Sequence, residues 1–257
     1  ARYVVFFGLW IYLTWRIKNL SLKEDTLGGT KMFEKLEFTS KVFIFVFAVS
    51  FSLFSIDWLM SLDAHWYSTI YVVKKFIMAF FHGVAMLTAI AIILNKLGYL
   101  PMLTKKHLHD FSRYIWALSL IWGYMWLSQY LLIWYANIPE ETVYYIPREM
   151  GEYKGLFYTE LIMNWAFPFF FLMWNRIAKS ANWLLFAVGV LIIGQWVELY
   201  MSIMPNTVES HGISYIEIGT FIGSFGLFAL IVGISLSKIP VVPQKHPYLI
   251  ESTTEEH

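Results

Sequence analysis

Charge is nearly absent from seven long stretches of this sequence, and that feature leaves few folds open. The stretches cover about 2–15, 42–62, 69–95, 111–136, 156–176, 183–204 and 213–237. About 20 apolar residues cross roughly 30 Å of hydrocarbon as a helix, so each reads as a membrane span. None alternates with a period of two over about ten residues, which excludes a transmembrane β-barrel. The fold class is all-α: a polytopic transmembrane helical bundle over 1–238. Composition agrees, with 58% hydrophobic and 14% charged residues and a mean hydropathy of +0.56. A soluble domain carries about 25% charge.

The first stretch is short. Tyr3 to Trp15 is uncharged, with no basic region before it and no small-residue cleavage site after it. It reads as the remainder of a spanning helix rather than a signal peptide. Residues 16–41, with Lys23, Glu24, Asp25, Glu34 and Lys35, read as the one soluble-type loop. The tail 239–257 holds Pro240, Pro243 and Pro247 and an acidic end, so it reads as an extended segment docked on a partner, or disordered.

Lysine and arginine set the orientation. Loops 16–41, 96–113 and 176–182 and the tail hold fourteen of them: Arg16, Lys18, Lys23, Lys31, Lys35, Lys41, Lys96, Lys105, Lys106, Arg113, Arg176, Lys179, Lys238 and Lys245. Loops 63–68, 137–155 and 205–212 hold two, Arg148 and Lys154. The basic side is expected to be cytoplasmic. The C-terminus then lies in the cytoplasm, and Glu140, Glu141, Glu149 and Glu152 face the opposite compartment.

Charges within spans are costly, roughly 2.5–3.5 kcal/mol each at a helix centre, so each marks a candidate site. This chain places Asp57, Lys74, Lys75, His82, Glu160, Glu198 and Glu217 in or near its spans. At about 1.5 Å per residue, Asp57, Lys75, Glu160 and Glu198 fall roughly 6–9 Å below the outer surface. His82 falls near mid-membrane. Lys75 and His82 share a face, as do Glu160, Asn164 and Pro168, and Gln195, Glu198 and Ser202. Pro168 cannot donate to the carbonyl of Asn164, which predicts a kink and a free acceptor at depth. Such a ladder suits a proton half-channel from the outer face, because relay needs donors and acceptors within one water of each other. Other readings stand beside it. Asp57 with Lys74 or Lys75 reads equally as a structural ion pair, His82 as a satisfied core histidine, and Glu217 as a cap or snorkelling side chain.

Several chemistries are excluded. Cysteine is absent, which removes disulfides, iron–sulfur ligation and covalent haem attachment from this chain. A membrane haem needs two facing deep histidines; only His82 is deep, with His65, His107, His109, His211, His246 and His257 in loops or termini. No metal site or cofactor is expected here. A net charge of +1 and the lack of a basic stripe give no nucleic-acid footprint.

The chain has 12 Trp, 16 Tyr and 22 Phe. Trp122, Tyr124, Trp126, Tyr130, Trp134 and Tyr135 could line a quinone cleft, though packing is the more economical reading. Gly219, Gly223 and Gly226 give the seventh stretch a face for close helix contact.

Three segments resemble a known family. Asp57-Trp-Leu-Met-Ser-Leu-Asp-Ala-His-Trp-Tyr-Ser-Thr-Ile-Tyr71, the stretch from Trp122 to Thr142 and Asn164-Trp-Ala-Phe-Pro168 resemble the integral-membrane F subunit of bacterial alternative complex III. That subunit is of the polysulfide-reductase type, with about ten helices, and the seven here match its C-terminal part. The resemblance implies a multi-pass subunit of a respiratory quinol:electron acceptor oxidoreductase in the bacterial inner membrane. Its partners would be a paralogous membrane subunit, an iron–sulfur subunit, c-haem subunits, a terminal oxidase in some assemblies, and lipids. Haems and iron–sulfur clusters would belong to those other subunits, with quinol as substrate. The F-type subunit itself carries no cofactor and is proposed to conduct protons.

The expected role is therefore structural, with a candidate proton path through Asp57, Lys74, Lys75, His82, Glu160, Asn164, Gln195 and Glu198. The rival is the quinol-binding subunit of the same complex, using Asp63 and His65 beside Trp126 and Tyr130. A secondary transporter fits less well, because the kink at Pro168 has no counterpart in a second half.

Overall fold

The computed structural model describes residues 2–208 and 212–249. The chain is 81% helical with no strands among the described residues. Its seven helices of at least 19 residues are α1 (Arg2–Leu27), α2 (Thr30–Trp58), α3 (Thr69–Lys96), α4 (Lys105–Ala136), α5 (Lys154–Leu172), α6 (Ala181–Thr207) and α7 (Tyr215–Leu236). Among the described residues, five segments are long and apolar enough to cross a membrane: Thr30–Leu62, Thr69–Lys96, Lys154–Leu172, Ala181–Pro205 and Tyr215–Leu236.

Residues 16–41 are not a loop. Both flanking helices run through the charged segment, and only Gly28 and Gly29 interrupt them, at φ of 67° and 84°. Left-handed backbone at two successive positions is strained for residues with a Cβ, so this glycine pair makes the tight reversal. Lys, Glu and Leu are strong helix formers. Their charge removes residues from hydrocarbon without removing them from a helix.

The chain divides into two compact units. One contains the residues up to Phe54 and those from Ala229 onward. There the Trp10 indole donates to Ser50 Oγ at 2.8 Å, and Trp10 packs on Phe47 with ring centroids 5.1 Å apart. The described part of the tail, up to Leu249, lies on this chain's own α1–α2 turn, and 250–257 fall outside the described residues. Gln244 N donates to Asp25 Oδ1 at 2.7 Å, Lys245 Nζ donates to the Thr26 carbonyl at 2.9 Å, and Phe33 meets His246 edge-on at 5.2 Å.

The other unit, Ser55–Phe228, holds the core. Phe81, Ala85 and Ile92 on α3, Ile115 and Trp122 on α4, and Leu184, Ala187 and Leu191 on α6 are fully buried. Their three- and four-residue spacing is the stripe that packs one helix against the next. α4 starts at Thr104 in a capping box closed by His107. Glu217 accepts from Ser214 N at 2.9 Å and from the Ser214 hydroxyl, so it caps α7, one of its two expected roles.

Just before Pro168, where a kink is expected, the helix leaves α geometry. Ile162–Ala166 is a π turn inside α5, with Phe167 N–H reaching back to the Ile162 carbonyl. A π bulge is a standard way to absorb a broken hydrogen-bond ladder. Gly219, Gly223 and Gly226 have no neighbouring atom within 4 Å of where a Cβ would stand.

Candidate functional site

Two adjacent lysines on α3 meet two glutamates from other helices. Lys74 Nζ lies 3.1 Å from Glu160 Oε1 on α5 and 3.8 Å from Glu198 Oε1 on α6. Lys75 Nζ lies 3.2 Å from the same Glu198 oxygen and donates to Ser202 Oγ at 2.6 Å. All five side chains are buried. Two positive and two negative groups balance, which buried ions require.

The groups are not equivalent. Glu198 Oε1 faces both ammoniums, and its Oε2 accepts from the Trp122 indole at 2.8 Å. Glu160 commits only Oε1, to Lys74. Its Oε2 accepts no hydrogen bond among the described residues. Glu160 is thus the open acceptor of the cluster and Glu198 its hub. Lys74 also faces the Trp122 ring at 5.3 Å, and Lys75 the Tyr71 ring at 5.2 Å.

A second polar layer lies one turn along α5 and α6, about 6 Å away at the helical rise. Asn164 Nδ2 donates to the Gly194 carbonyl at 3.1 Å, which orients the amide so that Oδ1 faces His82 Nε2 at 3.1 Å. His82 Nδ1 faces the Met78 carbonyl at 2.8 Å. Both ring nitrogens therefore face acceptors. A neutral imidazole satisfies one of them; an imidazolium satisfies both. Gly194 is required here, because a Cβ would stand 2.6 Å from Asn164 Oδ1.

Lys74, Lys75, Glu160 and Glu198 thus form one cluster, with His82 and Asn164 in the next layer. Asp57 sits half-buried near the end of α2, and the carboxylates that meet the lysines come from α5 and α6 instead. Gln195 lines, with His82, Phe225 and Phe228, a separate cavity of about 460 Å³. Of the quinone candidates, Asp63 and His65 lie in the α2–α3 connection, with His65 exposed. Trp126 stacks on Tyr130 at 5.6 Å. His211 and His257 lie outside the described residues.

Arg148, in sequence one more charge of the 137–155 segment, is buried. Its guanidinium lies 3.5 Å over the Tyr144 ring and donates to the carbonyls of Tyr144 and, at 3.0 Å, Met201. Tyr144 stacks on Trp66 at 4.1 Å, and Trp66 meets Tyr71 edge-on at 5.4 Å. An unbroken run of ring contacts thus joins Arg148 to Lys75. The only sequence signal for it was an aromatic excess that packing also explains.

Among the described residues no three His, Cys, Asp or Glu groups are placed to hold a metal ion. No protein-family model and no curated protein matches the chain.

Proposed function

We propose that this chain is a multi-pass membrane subunit of a respiratory quinol:electron acceptor oxidoreductase, and that it carries protons part-way across the bacterial inner membrane from the outer face. In this reading all seven helices cross the membrane and the C-terminus is cytoplasmic. The resemblance at 57–71, 122–142 and 164–168 supports the complex, and the Lys/Arg distribution supports the orientation.

One observation carries the proton role: four buried titratable groups on three helices, with an open oxygen on Glu160 and His82 one turn beyond. A proton reaching Glu160 Oε2 neutralises that carboxylate and loosens its hold on Lys74. Glu198 stands 3.8 Å from Lys74, close enough to take over as its counter-ion. The net positive charge this leaves in the cluster is relieved when a proton moves on. A single water spans the gap to the next layer, where Asn164 Oδ1 and His82 Nε2, 3.1 Å apart, continue the path. Redox cofactors belong to partner subunits, and this chain supplies the polar path and a scaffold.

Purification in mild detergent tests the class. Multi-haem and iron–sulfur polypeptides should co-migrate with this chain in one particle. Isolation as a lone monomer would overturn the assignment.

A further inference from the structure

The end of α4 and the two short helices after it, Pro139–Thr142 and Ile146–Glu149, enclose a cavity of about 450 Å³ that the proton reading does not use. This is the size of a small-molecule site. Tyr130, Trp134, Tyr145 and Glu149 line it. The Tyr130 and Tyr145 rings stand at 89° with centroids 5.3 Å apart, forming a corner of two aromatic walls. Trp134, 64% exposed, is a third wall at the mouth. Burial holds the Tyr145 phenol well above its ordinary range, so that wall stays neutral.

The cavity has one charge. Tyr130 Oη donates to Glu149 Oε1 at 2.9 Å, while Glu149 Oε2 accepts no hydrogen bond among the described residues. No lysine or arginine lines the space. Neighbouring Arg148 is directed instead at the Tyr144 ring and the Met201 carbonyl. Aromatic faces around an anionic carboxylate select a compact organic cation, because ring quadrupole and carboxylate attract the same charge. Along α4 from the mouth, Leu127, Leu131 and Leu132 are exposed and apolar, a surface that acyl chains cover. The occupant is therefore cationic at one end and greasy at the other.

We propose that this cavity binds the ammonium head group of a phospholipid, with its acyl chains along α4. Tyr130 holds the Glu149 carboxylate in place, and the three rings exclude water from the ammonium. Head groups without a cation, such as phosphatidylglycerol, gain nothing from either feature.

The test is native mass spectrometry of the purified full chain, delipidated and then offered equal phosphatidylethanolamine and phosphatidylglycerol. One phosphatidylethanolamine should be retained, with a preference of about fivefold or more. Glu149→Gln keeps an acceptor for the Tyr130 hydroxyl but removes the charge, and should abolish the preference. Trp134→Ala, at an exposed ring, should weaken it. Ethanolamine phosphate lacks acyl chains and should not displace the lipid at equal concentration. Equal retention of the two lipids, a preference that survives Glu149→Gln, displacement by ethanolamine phosphate, or a bound quinone in the cavity would each overturn the proposal.

Discussion

Lys75 and Glu198, 123 residues apart in sequence, meet at 3.2 Å with both side chains almost wholly shielded. Glu198 also takes Lys74 and the Trp122 indole, so one carboxylate joins α3, α4 and α6. Glu160 joins only α5 to α3. The cluster has a hub and a spoke.

That asymmetry predicts unequal costs. Glu198→Leu leaves Lys75 buried without a carboxylate and should destabilise the chain by about 3–5 kcal/mol. Glu160→Leu should cost clearly less, because Lys74 keeps Glu198 at 3.8 Å. Unfolding in detergent monitored by circular dichroism measures both. Equal losses would show that the two carboxylates are not hub and spoke.

Gly194→Ala should be harmful out of proportion to its size. Its Cβ would meet Asn164 Oδ1 at 2.6 Å and push the amide away from His82. Overpacking of this kind costs about 1–3 kcal/mol. Gly223→Ala, with open space around it, is the control and should leave the melting temperature of the isolated chain unchanged. Similar melting temperatures for the two variants would mean that the α5–α6 approach is looser than described.

The tail contacts predict protection. Residues 244–246 are held by Asp25, Thr26 and Phe33, so limited proteolysis should cut this segment slowly. Phe33→Ala removes the ring that His246 and Tyr248 pack on, and cleavage should become several-fold faster. Equal cleavage rates would place the tail elsewhere.

Much of the helical order was legible because long stretches nearly free of charge can be satisfied only as helices; the packing face within each emerges in the structure. Tyr71, Met78, Phe81, Ala85 and Ile92 repeat on one face of α3, and that face is buried. Buried lysines were legible because charge in an apolar stretch needs a reason. Their partners were not: hydropathy and helical spacing rank residues within a helix, and Lys74 and Glu160 are 86 residues apart. Asp57 shared their depth, yet the partners came from other helices. Arg148 was hidden because a loop has no periodicity to show which way a side chain turns. Charge in 16–41 signals an exit from an apolar stretch but not a loop, because its lysines, glutamates and leucines favour helix.

In the proposed path Glu160 takes up the proton while Glu198 holds both lysines as their counter-ion, and vesicles test this directly. Protons taken up or released per electron should be measured during quinol oxidation by the intact complex, with wild-type, Glu160→Gln and Glu198→Gln chains. Quinol oxidation in detergent should stay largely intact in both variants while the proton count per electron falls. An unchanged proton count in both would contradict that path and leave the cluster a structural clamp.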